Sequence, residues 1–320
     1  MKPITRRIAG CAAFLLLLLA ILILFSRIMQ PKGNRREDGI QDPVANGILS
    51  ETPQSIDVLF LGDSESYCAF IPLQLFKDHG ITGYVCGTSL QTLGYSFEFL
   101  EKTFQNQSPK VVVLETNAIF RDEGLSQEIA RQAELLLPIF RYHDRWKKLI
   151  TGQSTKASKY SFLDGSKGYI FDVSQNPANT KDYMSPSDAV ASIPAINNRY
   201  VESMKQFCQT HDATLLLISV PSTVNWRSER HNAIAAFAEK MELHYIDCNM
   251  LRSEIPIDWT MDTRDKGDHL NHFGASKVTK YLGDYLASLS LFSDKRKDPS
   301  YANWTAAVSE FETIIGMPLQ

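Results

Sequence analysis

The segment KVVVLETN, residues 110–117, constrains this chain more than any other. Three valines and a leucine run together and stop at polar residues. Such a run has no wet face, so it reads as a parallel strand covered on both sides. A strand of that kind needs sheet neighbours and helices on both faces. Similar short runs occur in IDVLFLG at 56–62, GYVCG at 83–87, ATLLLISVP at 213–221 and LHYIDCN at 243–249. Between them lie a helical stretch to about residue 78, helical spacing of Leu, Phe and Tyr over 90–106, and helices at 197–211, 228–241 and 273–290. Strands alternating with helices predict an α/β fold built on a doubly wound, mainly parallel sheet. In such a sheet a ligand site lies at the carboxyl ends of the strands.

The N-terminus carries a second strong signal. Ile8 to Ser26 contains no charged residue. At 1.5 Å per residue the run spans about 28 Å, close to the hydrocarbon core of a bilayer. Lys2, Arg6 and Arg7 precede it, and Arg27, Lys32, Arg35 and Arg36 follow. A cleaved signal peptide is the rival reading. No small-x-small cleavage site follows the run, so an uncleaved anchor is expected. Basic residues flank both ends, and the positive-inside rule does not choose an orientation. A short cytoplasmic tail with an external domain is the simplest arrangement. The expected organisation is a tail and transmembrane anchor over 1–29, a polar linker over 30–54, and an α/β domain over 55–290. A helical insertion or lid at about 122–195 interrupts that domain, and residues 291–320 form a charged, then helical, extension.

With 320 residues, the chain has room for one large domain with appendages. Its formal net charge of -3 gives no global attraction to nucleic acid, and no nucleic-acid partner is expected. Cys11, Cys68, Cys86, Cys208 and Cys248 form no CxxC pair and no zinc spacing. The four in the soluble part read as buried small hydrophobes, with a Cys68–Cys86 disulfide left open. No glycine-rich phosphate loop is present, and no cofactor is implied.

Chemistry concentrates at the strand ends. Gly62-Asp63-Ser64 follows the first strand directly, where a serine is exposed at a strand-to-helix turn. The helix start behind Ser64 favours developing negative charge; a plain N-cap serine is the bland alternative. A serine nucleophile needs a base, and His269 lies in the polar loop DKGDHLNH before the last helix. A carboxylate should orient the imidazole, and Asp265 and Asp268 are both near. Adjacent residues in an extended loop point to opposite sides, which favours Asp265 and keeps Asp268 as the alternative. An oxyanion needs donors: Gly87 offers a backbone N–H and Asn117 a side-chain amide, each at a strand end.

These residues resemble, in order, the four blocks of the SGNH hydrolases: GDS at 62–64, Gly87, Asn117 and HLN at 269–271. The resemblance covers roughly residues 55–290. It implies a flavodoxin-like fold, Ser64 as nucleophile and first oxyanion donor, Gly87 and Asn117 as the other donors, and His269 as general base. Two positions depart from the family pattern. The third block usually reads Gly-x-Asn-Asp, and here it is Glu115-Thr116-Asn117-Ala118. The orienting aspartate usually stands three residues before the histidine, where this chain has Lys266; a dyad without the aspartate is also open. The anchor, the degenerate third block and the GA-x-K-x-T-x-YL helix resemble bacterial envelope proteins similar to the teichoic-acid D-alanine transfer and alginate O-acetylation proteins. That likeness implies acyl-ester hydrolysis or O-acyl transfer on a glycan or cell-wall polymer, beside a membrane-bound O-acyltransferase. A binding partner with little or no catalysis is the alternative.

Other residues carry weaker expectations. His269 and His272 could share a helix face, but no third ligand is suggested and no metal is expected. Trp146 reads as packing of the insertion or a sugar contact. Trp226 lies beyond the fourth strand, where a loop reaches the site. Glu115 reads either as a buried structural carboxylate or as a substrate contact.

Overall fold

β-branched and aliphatic runs become strands here because each can alternate its side chains between two covered faces. In a computed structural model of the chain, which describes residues 3–121, 124–152 and 160–319, all five expected strands form. They are β1 Val58–Gly62, β2 Gly83–Gly87, β3 Val111–Glu115, β4 Thr214–Ser219 and β5 His244–Asp247. All pair in parallel, in the order β2-β1-β3-β4-β5. The doubly wound expectation holds, in the flavodoxin-like order. The order reverses between β1 and β3, so the turns leaving those two strands flank the topological switch point.

The sheet alternates as its pleat requires. Leu59, Leu61, Val112, Leu114, Leu215 and Leu217 face one core. Over them pack α4 Leu93–Thr103, α8 Ala195–Thr210 and α9 Ser228–Lys240, through Phe99, Leu100, Val201, Met204 and Ile234. Val58, Phe60, Val111, Val113, Leu216 and Ile218 face the other. That side is closed by α10 His272–Ser288 through Val278, Leu282 and Leu286. The expected first helix is two, α2 Ser64–Ala69 and α3 Pro72–His79, because Pro72 sits at the start of the second.

The chain divides into two compact units. One contains residues 44–122 and 163–320, the other 1–43 and 123–162. In the second unit, α1 Pro3–Met29 is the apolar helix. Its stretch Ile4–Met29, with an 18-residue window of mean hydropathy 3.1, is long and apolar enough to cross a membrane. Short helices α5 Gly124–Leu136, α6 Ile139–Tyr142 and α7 Trp146–Ile150 belong to the same unit. Lys2, residues 122–123 of the expected insertion and residues 153–159 of its polar part lie outside the described residues.

Three segments read as appendages differ from expectation, for one physical reason: each has apolar side chains with somewhere to go. Of the expected linker, residues 45–50 form a 3-10 turn whose Ala45, Ile48 and Leu49 are buried. Of the expected insertion, residues 163–195 belong to the α/β unit, where Tyr169 is buried and Ile170 N–H donates to Tyr67 O at 2.9 Å. The C-terminal extension folds as α11 Ala302–Ile315 and packs Trp304 on Phe76 and Phe311 on Tyr169. All three meet at Lys167. Its ammonium, buried, pairs with Glu51 at 2.7 Å and sits 4.8 Å over the Trp304 ring. Burial pushes the Glu51 carboxyl up, and Lys167 opposes that shift.

Trp304 is 1% exposed. Trp304→Ala is therefore expected to cost about 3–5 kcal/mol of stability, as for large aromatic truncations in cores. Urea denaturation of the full chain in detergent checks this, and an unchanged midpoint would mean that α11 is a true appendage.

Candidate active site

Ser64 opens α2, immediately after β1. Asp63 is its N-cap, accepting from Glu65 N–H at 3.1 Å. Because α2 is only six residues long, the useful donors here are individual N–H groups rather than a helix dipole. Gly62 lets β1 lie close to β3: a Cβ there would meet Glu115 Cβ at 2.7 Å.

His269 reaches this turn from the loop before α10. Its Nε2 lies 2.8 Å from Ser64 Oγ. Its Nδ1 lies 2.6 Å from Asp265 Oδ2, and its backbone N–H donates to Asp265 Oδ1 at 2.6 Å. Asp268, the alternative orienter, stands 3.7 Å from Nδ1, and its Oδ1 accepts from Asn225 Nδ2 at 2.6 Å. The local fold explains the choice. Lys266 and Gly267 both adopt positive φ, 65° and 93°, which turns the loop back so that Asp265 lies beneath the ring. Thr263 Oγ1 accepts from Gly267 N–H at 2.7 Å and donates to His269 O at 3.0 Å. Asn176, in the polar stretch expected to be a lid, receives Lys266 N–H at its carbonyl and donates its own N–H to Thr263 O. Asn271 caps α10 by accepting from Phe273 and Gly274 N–H.

The electrostatics suit a base. Burial works against charge on His269, but the Asp265 hydrogen bond and the nearby Glu65 and Asp268 outweigh it and raise the ring above 6.5. Burial works to raise Asp265, yet the hydrogen bonds from His269 hold it below the usual carboxylate range.

The candidate oxyanion residues stand at neighbouring strand ends. Gly87 pairs in register with Gly62, and a side chain there would collide with Ser66 Oγ. Asn117 follows β3, donating Nδ2 to Asp63 Oδ2 at 2.9 Å and accepting from Arg230 Nη1 at 2.7 Å through Oδ1. One of its two amide hydrogens is thus committed to Asp63, leaving the other.

Two residues here, Arg121 and Glu65, carried no sequence signal. Arg121 pairs with the buried Asp63 at 2.8 Å. Glu65 is buried and accepts from Asn225 Nδ2 at 2.7 Å, while its Oε2 meets no hydrogen-bond partner among the described residues. Glu115 is buried, and its two carboxyl oxygens share the Asn117 N–H at 3.0 and 3.1 Å. It is the structural carboxylate of the two readings. Only the adjacency of Glu65 to Ser64 could have marked it.

The weaker expectations resolve differently. Trp226 is 1% exposed and donates Nε1 to Asp247 at 3.0 Å, so it is a core residue and not a substrate contact. Trp146 lies in the other unit and is exposed. His272 is buried among aromatics, its Nδ1 3.2 Å from Tyr169 Oη. Ligand atoms of Glu65, Asp268 and His269 lie within 4.8 Å of one another. Both ring nitrogens of His269 are already engaged, so this reads as carboxyls around a base. Cys68 and Cys86 are buried and unbridged.

No family model matches the chain, and neither does any curated protein. Among solved structures it is similar to a lipase/acylhydrolase from Enterococcus faecalis, at 10% identity and a TM-score of 0.40, over 73% of this chain and 97% of that one. A psychrotrophic esterase from Pseudoalteromonas sp. matches at 11% identity and 0.38, over 73% and 97%. A GDSL-like lipase from Bacteroides thetaiotaomicron matches at 12% and 0.36, over 80% and 95%. Likenesses this loose carry no function across; the chemistry rests on the Ser64 geometry.

Burial pushes both Glu65 and Glu115 well above the usual carboxylate range. A carboxyl whose folded pKa exceeds its unfolded value stabilises fully below the unfolded value, about 4.3, and loses that contribution as pH rises through the folded value. Glu115→Gln removes this dependence while keeping an acceptor for Asn117 N–H. Its stability relative to the parent is expected to improve steadily from pH 4 to pH 8 in urea titrations. A difference that stays flat or worsens would mean that Glu115 is ionised in the fold.

Proposed function

We propose that this chain is a serine-dependent acyl-ester hydrolase or O-acyltransferase, acting through an acyl-enzyme on Ser64. The observation that carries the reading is the Ser64–His269–Asp265 chain of contacts, at 2.8 and 2.6 Å. With Nδ1–H donating to Asp265, the neutral ring presents Nε2 as an acceptor to the Ser64 hydroxyl. Ser64 Oγ attacks the ester carbonyl carbon as its proton passes to Nε2. The carbonyl π pair moves to oxygen, where Ser64 N–H, Gly87 N–H and the second Asn117 amide hydrogen are the proposed donors. The tetrahedral intermediate collapses, the ester C–O bond breaks, and the leaving alkoxide takes the proton from Nε2. Water, or a hydroxyl of an acceptor, then attacks the acyl-enzyme by the reverse path.

The four SGNH-like blocks meet at one sheet edge, which supports the same family for the chemistry. An acylated glycan or cell-wall polymer as substrate, an external position and a membrane-bound O-acyltransferase beside it are proposals that rest on the envelope-protein resemblance. The apolar helix α1 supports single-pass anchoring.

The full chain in detergent should release phenol from an aryl acetate, and Ser64→Ala should abolish that release. Asp265→Asn should lower kcat by roughly 10²–10⁴-fold. It should also move the acid limb of kcat/KM to lower pH, since His269 would lose the hydrogen bond that raises it. Asp268→Asn should do far less. A folded chain with no turnover, and no acyl transfer to an added oligosaccharide, would favour the binding role instead.

A further inference from the structure

We propose that helices α5–α7 form an interfacial platform that lies on the lipid bilayer at the C-terminal end of α1. The inference rests on α1 spanning the membrane and is independent of the Ser64 chemistry. The 26 residues of Ile4–Met29 rise about 39 Å, longer than the roughly 30 Å hydrocarbon core. The last turn of α1 therefore emerges at headgroup depth. The platform is fastened to that turn: Ile139 N–H donates to Ser26 Oγ at 3.2 Å. Arg145, 4% exposed, donates Nη1 to Met29 O at 2.7 Å and Gln30 O at 2.6 Å, capping the helix carbonyls. Asn34 binds Phe162 O through Nδ2 and Ser161 N–H through Oδ1, closing the far end of the unit back onto the chain that leaves α1.

Held at this depth, the platform exposes the wrong side chains for water. Leu125, Ile129, Leu136, Phe140, Trp146 and Ile150 are 47–80% exposed. On α5, Leu125, Ile129 and Leu136 fall within about 40° of arc at 100° per residue, one apolar stripe. Gln127 lies on the opposite side. An exposed tryptophan beside Lys147 and Lys148 is the composition of a membrane interface, with the ring at headgroup level and the ammonium groups toward lipid phosphates. Lys147 is shared with Asp144 at 2.8 Å, while Lys148 has no carboxylate partner among the described residues. A soluble partner protein would explain an apolar stripe equally well in isolation. Continuity with the end of a membrane span selects lipid.

The full chain, reconstituted in phosphatidylcholine–phosphatidylglycerol vesicles, tests this. A fluorophore is placed on Ile129→Cys, Ile150→Cys or Gln127→Cys in a Cys11→Ser background. Positions 129 and 150 are expected to be quenched by lipid-borne nitroxide and shielded from aqueous iodide, and position 127 the reverse. Brominated lipid should also quench native tryptophan emission, and Trp146→Phe should remove that component without perturbing the fold. Equal iodide access at 127, 129 and 150 in a chain that resists carbonate extraction would overturn the platform while leaving the anchor intact. Disulfide-linked dimers through Ile150→Cys without lipid quenching would overturn it in favour of self-association. Extraction of the chain by carbonate would overturn the anchor and the platform together.

Discussion

Asp63 fastens the site together. Its carboxyl is fully buried at the end of β1 and receives three donors: Glu65 N–H, Asn117 Nδ2 and Arg121 Nη2. β1 and β3 are neighbours in the sheet, but the turns that leave them could diverge at the switch point. The shared carboxyl prevents this by tying the Ser64 turn to the start of the Asn117 turn. A buried carboxylate with several charge-assisted donors is a firm joint, and removal of any donor leaves charge stranded in a dry place. The nucleophile and the candidate oxyanion amide are thus held relative to one another before any substrate arrives.

That joint has a price in charge, set by the two other buried carboxyls beside it. Glu65 and Glu115 are buried beside Asp63, which pairs with Arg121, while Arg230 donates to Asn117 Oδ1. Burial favours the neutral form of each glutamate. Of the three, Asp63 is the carboxyl paired with Arg121, and Glu115 accepts the Asn117 N–H. Glu115 stands where the resembled family has glycine. Its burial, its bond from Asn117 N–H and its packing against Gly62 on the adjacent strand fit a structural residue rather than a substrate-facing one.

Much of this was legible in the sequence. Five strands, their parallel pairing and the place of Ser64, Gly87 and Asn117 at the ends of the first three followed from apolar runs and the turn residues that end them, and His269 from its polar loop before the last helix. What escaped were contacts made by distant segments. Trp226 looked like a loop residue near the site, but tertiary packing buried it and gave its indole Asp247. Residues 163–195 looked like part of a polar lid because turn residues dominate them, yet Asn176 and Ser174 clamp the His269 loop through backbone contacts that no composition reveals. The C-terminal extension read as an appendage because one Trp and one Phe per helix are weak signals alone. Their partners, Phe76 and Tyr169, lie far back in the chain.

The displaced aspartate shows how a changed spacing can preserve a contact. The segment Asp265-Lys266-Gly267-Asp268-His269 is one residue longer than the resembled pattern. A lengthened loop would ordinarily swing the carboxyl away from the ring. Here two successive residues take left-handed backbone, and the non-glycine one costs roughly 1–2 kcal/mol. Thr263 and Asn176 hold the loop in that shape. The result is a two-point grip, Oδ1 on the His269 N–H and Oδ2 on Nδ1, which fixes both the position and the tautomer of the ring. Asp268, closer in sequence, is drawn off by Asn225, which also holds Glu65. Backbone strain at Lys266 is therefore the means by which a longer loop still delivers its carboxylate, and the geometry of the contact rather than the count of residues decides which aspartate orients the base.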